Sequence, residues 1–339
     1  MTYRIALNFE DGATRFIDCN DGEKVLDAAY RNKINLPMDC SDGVCGTCKC
    51  HCEQGGYDLG DEYIEDALTE DEAEQGFVLT CQMVVSSDCV ISVPVAASAC
   101  KLAPATMEAE LVAAERLSEN RVRLSVKATQ GALPTFLPGQ YVNLSIPGLD
   151  GVHRSYSFSS LPGAEVATFL IRNVDGGAMG SYLERARPGD RMTLHGPLGS
   201  FYLREPKRPI LMIAGGTGVA PMLSMLEVLA EQDMGGQSVH LIYGAHDQAD
   251  LVEIERLDAL KTRIPGLTVV STCSGADNAH PVKGRVTDHI GADRLNGGDV
   301  DVYLCGPPEM VESVRGAVGD VANLYFEKFI PAQPEELAA

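Results

Sequence analysis

Four cysteines lie close together in the segment MDCSDGVCGTCKC, residues 38–50: Cys40, Cys45, Cys48 and Cys50. Thiols at such short spacing can form disulfides, bind a zinc ion or hold an iron–sulfur cluster. The N-terminus, MTYRIALNFEDG, has no charged lead followed by a long apolar run, so no signal peptide is expected. In a chain without an export signal, the 11 cysteines are expected to be reduced thiols or metal ligands rather than disulfides.

The spacing of the cysteines favours a cluster over a zinc ion. The pattern Cys40-x4-Cys45-x2-Cys48, completed by the distant Cys81, is typical of the four ligands of a plant-type 2Fe–2S cluster. A structural zinc site is the alternative, but it usually combines two short cysteine pairs, and Cys81 has no partner at that spacing. We therefore predict one 2Fe–2S cluster on these four cysteines.

Two glycines and two further cysteines accompany the predicted ligands. Gly43 and Gly46 are expected at positive φ, which brings backbone N–H groups close to the sulfur atoms and offsets their negative charge. Cys50 and Cys52 follow the loop, where the chain is expected to continue as a strand. We interpret these two as small buried side chains.

Three further motifs lie between residues 153 and 310. HRSYSFSS, residues 153–160, carries an Arg-x-Tyr-Ser tetrapeptide, which by itself also fits a half-buried strand. IAGGTGVAP, residues 213–221, follows an apolar strand and opens a helix, so its glycines can direct backbone N–H groups and a helix dipole at a pyrophosphate. It is not the Rossmann pattern Gly-x-Gly-x-x-Gly. YLCGPPEM, residues 303–310, ends the last strong strand.

The elements that must position these motifs form three predicted domains and a linker. Residues 1–95 contain a hairpin around Asp11-Gly12, a helix in EKVLDAAYRNK and a strand in FVLTCQMVV. Residues 96–106 are small and aperiodic, which predicts a linker. Short strands separated by Gly and Pro over 107–204 predict a barrel. Strand–helix alternation over 205–339 predicts a parallel sheet covered on both faces.

The chain is strongly acidic, with a formal net charge of −21. Residues 1–95 hold 19 acidic and 6 basic side chains and so carry −13 of that charge. This balance argues against nucleic acid or an anionic membrane surface as a partner. The acidic segment is either a solubilising surface or a docking face for a basic partner. No apolar run reaches the roughly 18 residues that a transmembrane helix needs, so no membrane span is expected.

The motifs together resemble two known families. Residues 1–95 resemble a plant-type ferredoxin in the cysteine loop and in LTEDEAEQGFVLTC, which leads into the last ligand. Residues 107 to about 330 resemble the ferredoxin–NADP reductase superfamily in the ordered set Arg-x-Tyr-Ser, Gly-Gly-Thr-Gly and Cys-Gly-Pro-x-x-Met. The resemblance implies an α+β and α/β multidomain fold: a β-grasp ferredoxin, an antiparallel flavin-binding β-barrel and a doubly wound parallel-sheet nucleotide domain.

The reductase resemblance also implies roles for single residues. Arg154 would hold the FAD pyrophosphate, Tyr156 would stack on the isoalloxazine ring, and Ser157 would lie near flavin N5. Residues 171–174 would line the ribityl and phosphate region, and residues 215–218 would bind the nicotinamide dinucleotide. The full implied set for FAD and NADH is Arg154, Ser155, Tyr156, Ser157, Ile171, Arg172, Asn173, Val174, Gly177, Met179, Gly180, Ser181, Gly215, Gly216, Thr217, Gly218, Asp247, Cys305, Gly306, Pro307, Met310 and Phe329.

Ser157, Cys305 and Glu327 are the implied catalytic residues. Cys305 would lie near the hydride-donating carbon of the nicotinamide. Glu327 and Phe329 match a Glu-x-aromatic motif, in which the aromatic ring shields the flavin until nicotinamide displaces it; an ordinary terminal strand is the alternative.

The chain departs from the reductase pattern directly after Met179. Gly180 stands where a phosphate-binding Ser or Thr is expected, so either backbone N–H groups suffice there or Ser181 substitutes.

The loop after the second nucleotide-domain strand, LIYGAHDQAD, favours NADH over NADPH. It lacks the Ser-Arg pair that NADP-preferring relatives place there, and it carries two carboxylates instead. Asp247 is predicted to accept a hydrogen bond from the free ribose hydroxyl. Asp250 is interpreted as a cap of a helix that starts near Leu251.

Over its whole length the chain resembles the reductases of bacterial ring-hydroxylating dioxygenases, and most of all the benzoate, toluate and anthranilate 1,2-dioxygenase components. The resemblance implies a cytoplasmic, monomeric protein that passes electrons from NADH through FAD and a 2Fe–2S cluster to a terminal Rieske non-haem iron oxygenase. The alternatives are a reductase for a di-iron monooxygenase and a flavin–cluster redox sensor that does not turn over.

Overall fold

The computed structural model describes residues 1–101, 104–174, 176–276 and 279–330. The chain divides into two compact units, residues 1–104 with 197–200 and residues 105–196 with 201–339. The predicted linker, residues 96–106, contains a short 3₁₀ turn (Ala99–Lys101), and the first strand of the second unit already begins at Ala105. Residues 102 and 103 of that segment lie outside the described part of the chain.

The first unit is built on a five-stranded mixed sheet in the order β2-β1-β7-β3-β5, with a separate β4–β6 pair. Its elements are β1 (Thr2–Phe9), β2 (Thr14–Asn20), α1 (Val25–Arg31), β3 (Lys49–Gln54), β4 (Tyr57–Asp58), α2 (Glu70–Glu74), β5 (Phe77–Leu79), β6 (Val84–Val85) and β7 (Cys89–Val93). The predicted hairpin is confirmed: β1 and β2 pair antiparallel and Gly12 has φ +78°. The predicted helix is α1, which packs on β2.

One predicted strand of this unit is wrong. FVLTCQMVV does not run as a single strand but breaks into β5 and β6 with a turn at residues 80–83 between them. Backbone hydrogen bonds close this turn, since the N–H groups of Gln82 and Met83 both donate to the Leu79 carbonyl. The turn is what places the predicted ligand Cys81 off the sheet.

A six-stranded sheet in the order β11-β10-β13-β8-β9-β12 opens the second unit. Its elements are β8 (Ala105–Ser118), β9 (Arg121–Ala128), β10 (Tyr141–Ile146), β11 (Leu149–Ser157), β12 (Val166–Arg172), α3 (Ala178–Leu183) and β13 (Arg191–Leu198). A β-bridge between Phe158 and Phe169 joins the two edges, so the sheet closes on itself as a barrel. The core of the barrel includes Phe136, whose ring stacks on Phe158 at 3.7 Å between centroids.

A five-stranded parallel sheet in the order β16-β15-β14-β17-β18 completes the second unit. Its elements are β14 (Ile210–Gly215), α4 (Val219–Leu229), β15 (Val239–Ala245), α5 (Ile254–Arg263), β16 (Leu267–Cys273), α6 (Ala292–Leu295), β17 (Asp301–Gly306), α7 (Pro308–Val318) and β18 (Asn323–Lys328). Separate apolar clusters cover its two faces. The strand order reverses between β14 and β17, and ligands of doubly wound sheets bind in the crevice outside the carboxyl ends of such strands.

Among the described residues, no helix is both long and apolar enough to cross a membrane.

Candidate functional site

The four predicted cluster ligands come together as two pairs of thiols. Cys40 Sγ lies 3.2 Å from Cys45 Sγ, and Cys48 Sγ lies 3.3 Å from Cys81 Sγ. All 11 cysteines of the chain are free. Four thiols in two pairs are the donor set that a 2Fe–2S cluster needs, so the residues present fit the group.

Thr80 fixes the distant ligand beside the loop. Its backbone N–H and its hydroxyl both donate to the Cys48 carbonyl at 3.2 Å. The preceding helix α2 is held by a capping box between Thr69 and Glu72, and Glu72 also pairs with Lys49 on β3 at 2.6 Å. The sequence prediction missed Thr80, because a threonine directly before a ligand is no signal by itself; only the structure shows that its side chain is fully buried.

The loop that carries Cys40, Cys45 and Cys48, here called the cluster loop, has the positive φ angles predicted for its glycines. Gly43 has φ +81° and Gly46 has φ +72°, and Ser41 joins them at +67°. A Cβ on Gly43 would lie 2.7 Å from the Glu62 carbonyl oxygen, so close approach of the loop to its neighbour also requires glycine there. This conformation lets the N–H groups of Val44 and of the next residue donate to Cys40 Sγ at 3.4 Å.

Local hydrogen bonds prepare one thiolate in each pair. Hydrogen bonding between the Cys40 and Cys45 thiols lowers the pKa of Cys40, aided by backbone N–H groups, and raises the pKa of Cys45. In the same way, the hydrogen bond between Cys48 and Cys81 lowers the pKa of Cys81 and raises the pKa of Cys48. One thiol of each pair is therefore the more easily deprotonated of the two.

The two pairs differ in exposure. Cys48 and Cys81 are buried, whereas Cys40 and Cys45 are partly exposed. The neighbouring side chains of Val44 and Ile64 are 44% and 43% exposed, and the Ile64 N–H donates to the Gly43 carbonyl at 3.2 Å. The exposed edge of the cluster loop is therefore an apolar tip. Around it lie the exposed acidic residues Asp42, Asp61, Glu62, Glu65 and Asp66.

The Arg-x-Tyr-Ser residues lie at the end of β11. Arg154 is partly exposed and its Nη1 donates to the His153 carbonyl at 2.6 Å. The Ser155 hydroxyl donates to Asn143 Oδ1 on β10 at 2.6 Å, and Ser157 is buried. Desolvation raises the pKa of the Tyr156 hydroxyl, which therefore stays protonated at neutral pH. This cationic, aromatic and hydroxyl-bearing strand end suits a flavin diphosphate and ring.

The structure gives a steric reason for Gly180. A Cβ there would lie 2.4 Å from Asn173 Oδ1 and 2.8 Å from the Val174 carbonyl oxygen, so a serine or threonine cannot occupy this position without movement of the β12–α3 connection. Gly177, the N-cap of α3, is confined in the same way by Val174. Ser181 is exposed on α3. The expected hydroxyl is thus excluded by the close approach of residues 173–174.

The glycine turn, residues 215–218, and the Cys-Gly-Pro motif, residues 305–307, meet at the carboxyl ends of β14 and β17. A Cβ on Gly218 would lie 2.3 Å from the Cys305 carbonyl oxygen, and one on Gly215 would lie 2.5 Å from Met310 Sδ. A Cβ on Gly306 would also meet Met310. Close backbone contact therefore requires glycine at Gly218, whereas Gly215 and Gly306 pack against the flexible end of the Met310 side chain. All three lie at the crevice where a dinucleotide is expected.

Cys305, Glu327 and Phe329 lie on adjoining strands at this crevice. Cys305 pairs in register with Ala214 on one side and with Glu327 on the other. Complete burial, followed by the nearby Glu327 carboxylate, raises the pKa of the Cys305 thiol, so it is neutral at physiological pH. The Phe329 N–H donates to the Gly306 carbonyl at 2.9 Å, and its ring packs on the apolar cluster that includes Cys305.

The interpretation of Asp250 as a helix cap is wrong. Helix α5 begins only at Ile254, and Asp250 instead forms an ion pair at 2.9 Å with Arg121 of the barrel strand β9. Leaving a buried guanidinium unpaired would cost more stability than leaving an exposed helix end without a side-chain cap. Asp247 is exposed after β15, and its Oδ1 lies 3.3 Å from the position of a Cβ on Gly275.

Three family models match this chain in sequence order. Residues 8–86 match a 2Fe-2S iron-sulfur cluster binding domain, residues 108–202 an oxidoreductase FAD-binding domain, and residues 212–316 an oxidoreductase NAD-binding domain. The predicted 2Fe–2S cluster, FAD and NADH are thereby confirmed as the cofactors and electron donor.

Relatives match over nearly the full length. The toluate 1,2-dioxygenase electron transfer component of Pseudomonas putida is 54% identical, covering 97% of this chain and 99% of that protein. The 2-halobenzoate 1,2-dioxygenase electron transfer component of Burkholderia cepacia is 47% identical, covering 98% and 99%. Among solved structures, the Amycolatopsis cytochrome P450 reductase GcoB has a TM-score of 0.72 at 29% identity, covering 97% of this chain and 100% of that one.

Proposed function

The chain belongs to the family of 1,2-dioxygenase electron transfer components, and we propose that its partner is the terminal oxygenase of an aromatic-carboxylate 1,2-dioxygenase of the benzoate, toluate or anthranilate type. Electrons pass from NADH through FAD to the 2Fe–2S cluster and on to an oxygenase. The observation that carries the proposal is 54% identity to a toluate 1,2-dioxygenase component across 97% of the chain. No aromatic substrate needs to bind this chain, since the oxygenase transforms it.

The cofactors supply the redox chemistry, in which FAD takes two electrons from NADH and passes them singly to a one-electron cluster. The chain's own residues bind and orient. Arg154 would bind the FAD diphosphate, Tyr156 would lie against the ring, and Ser157 would present its hydroxyl at the reacting edge. The neutral Cys305 thiol would line the nicotinamide position without competing as a nucleophile. The other residues of the implied set line the same two sites, and Cys40, Cys45, Cys48 and Cys81 hold the cluster.

The docking face for the oxygenase would be the exposed edge of the cluster loop. It combines the two apolar side chains of Val44 and Ile64 with a ring of carboxylates, in a segment of net charge −13. The more exposed thiol pair, Cys40 and Cys45, lies at this edge. A basic partner surface with an apolar centre would match this face. Electrons would leave the cluster on the side of Cys40 and Cys45.

Partner-coupled turnover is expected to depend on salt and on this face. Association between exposed charges weakens as the Debye length falls from about 10 Å at 0.1 M to about 3 Å at 1 M salt. We expect the triple variant Glu62→Gln, Glu65→Gln and Asp66→Asn to lower the apparent affinity for a purified benzoate, toluate or anthranilate oxygenase roughly tenfold, with a flatter salt dependence. NADH-dependent ferricyanide reduction should be unchanged. The measurement is oxygenase-coupled NADH oxidation against oxygenase concentration.

A matched variant removes the same charge elsewhere. Neutralising Glu231, Glu255 and Asp320, which are exposed on the second unit, should leave the affinity for the oxygenase unaltered. Equal effects of both triple variants, or turnover indifferent to salt, would contradict the docking face. Coupling to a di-iron monooxygenase but to none of the three dioxygenases would replace the proposed partner. Negligible NADH oxidation with ferricyanide would instead favour a sensor.

NADH is expected to be preferred over NADPH. A 2′-phosphate at the end of β15 would meet the exposed carboxylate of Asp247, and like charges there cost on the order of 1–3 kcal/mol, which is roughly ten- to a hundredfold in kcat/KM. The ratio of kcat/KM for the two coenzymes at equal ionic strength measures this. Asp247→Ala should lower the ratio, while Asp258→Ala on the exposed face of α5 should leave it unchanged. A wild-type ratio near one would contradict this assignment of the loop.

A further inference from the structure

Arg121 links the flavin barrel to the nucleotide part of the second unit. It is the first residue of β9, and its side chain is only 9% exposed. Its Nη2 donates to Asp250 Oδ2 at 2.9 Å and its Nη1 to the Asn120 carbonyl at 2.9 Å. The Ser118 hydroxyl, at the end of β8, reaches the other oxygen of Asp250 at 3.5 Å. Two barrel strands thus hold one carboxylate of the nucleotide domain.

The same guanidinium lies against the glycine turn. Arg121 Nη2 is 3.7 Å from the position that a Cβ on Gly216 would occupy, and Gly216 has φ +55°. The Arg121 Nε is buried and has no hydrogen-bond partner among the described residues. A buried donor without an acceptor is unfavourable, and native structures keep few of them. The unpaired Nε of Arg121 therefore lowers the stability of the fold. Arg121 lies in the region where the dinucleotide is expected.

The partner of Arg121 belongs to the turn that carries the predicted ribose ligand. Asp250 closes the 3₁₀ turn Gln248–Asp250, and its N–H donates to the Asp247 carbonyl at 3.0 Å. On the barrel side, Arg121 pairs in register with Arg172, in the strand that leads to the predicted flavin contacts, and the end of that strand contacts the glycine turn. Arg121 is therefore a neighbour of β12 in the barrel, is paired with the turn at residues 247–250, and lies near the glycine turn at residues 215–218.

We propose that Arg121 is a positioning residue for NADH: through its ion pair with Asp250 and its place beside Gly216, it holds the turn at residues 247–250 and the glycine turn at residues 215–218 at a set place relative to the flavin barrel. The proposal rests on the nucleotide site described above. Its physical basis is that hydride transfer requires the reacting atoms within about 3–3.5 Å, so a small displacement of the adenosine half of NADH is costly at the nicotinamide.

The test is flavin reduction by NADH in the holoenzyme, followed by stopped flow. For Arg121→Met we expect the apparent Kd of NADH to rise and the limiting rate to fall, each about tenfold. Reduction by 1-methyl-1,4-dihydronicotinamide, which lacks the adenosine diphosphate part, should be unchanged. FAD content, cluster absorbance and reoxidation of the dithionite-reduced enzyme by cytochrome c should also match the wild type.

A second variant separates positioning from folding. Arg121→Met with Asp250→Leu leaves neither charge unpaired, and it should show the same kinetic defect with a higher thermal midpoint than Arg121→Met alone. The control is Arg263→Met, which removes a guanidinium paired with Glu227 on the nucleotide side only. NADH kinetics within twofold of wild type in the double variant, or equal losses with the truncated donor, would overturn the proposal. Failure of the nucleotide site itself would appear separately, in the variant of Gly218 discussed below.

Discussion

Cys81→Ser is expected to remove the 2Fe–2S absorption bands and to abolish NADH-dependent cytochrome c reduction, a loss of at least about a hundredfold. A hydroxyl is a poor substitute for a thiolate ligand, and Cys81 supplies one sulfur of the buried pair with Cys48. Ferricyanide reduction by NADH should remain largely intact, because it requires only the flavin and nucleotide sites. Absorption spectra, iron and flavin content, and the two acceptor assays measure this.

The control is Cys19→Ser in the same unit. Cys19 is fully buried on β2, where its thiol donates to the Glu23 carbonyl at 3.4 Å, a bond that a hydroxyl can also make. This variant should keep the cluster and both activities. Stoichiometric zinc in place of iron in the wild type, or an intact cluster in Cys81→Ser, would show that the four thiols do not hold a 2Fe–2S group.

Gly218→Ala is expected to weaken NADH binding and slow flavin reduction, together roughly a hundredfold in kcat/KM. The added methyl would lie 2.3 Å from the Cys305 carbonyl oxygen, and this neighbour is backbone of the interior strand β17, which cannot swing aside as a flexible side chain can. The turn must therefore move, and with it the N–H groups that are expected to face the dinucleotide. Cluster and FAD content should be unaffected. Stopped-flow flavin reduction over a range of NADH concentrations measures the effect.

The matched substitution is Gly316→Ala in helix α7. That glycine has open space around its Cβ position and lies in the last turn of helix α7, where alanine is the better helix former by up to roughly 1 kcal/mol. It should leave NADH kinetics unaltered and raise the thermal midpoint slightly. Unchanged coenzyme kinetics in Gly218→Ala would mean that the dinucleotide does not use this turn.

Much of the site could be predicted from the sequence because short motifs carry their own geometry. The spacing of Cys40, Cys45 and Cys48 and the glycines between them predict a loop with positive φ, and Gly43 and Gly46 adopt it. The apolar strands around the glycine turn likewise determine a parallel sheet with its crevice at the carboxyl ends. Confirmed expectations of this kind depend on neighbours within a few residues or on the period of apolar side chains.

Contacts between distant segments were decided only by the tertiary structure. FVLTCQMVV has the composition of one strand. Its chain nevertheless bends into a turn that presents Cys81, because Thr80 donates to the Cys48 carbonyl and the N–H groups of residues 82 and 83 donate to the Leu79 carbonyl. Gly180 replaces an expected hydroxyl because Asn173 and Val174 fill the space, which no local pattern reveals.

Asp250 is the clearest case of a contact that no local sequence pattern reveals. Its sequence neighbours suit a helix cap, and only the fold brings Arg121, 129 positions earlier in the chain, to within 2.9 Å. The sequence by itself determined which cofactors this protein uses and which loops are predicted to hold them, since ligand type and spacing are local. The tertiary structure alone decided how the nucleotide turns are tied to the flavin barrel, because the pairing of a buried cation depends on which carboxylate the folded chain brings within hydrogen-bond distance.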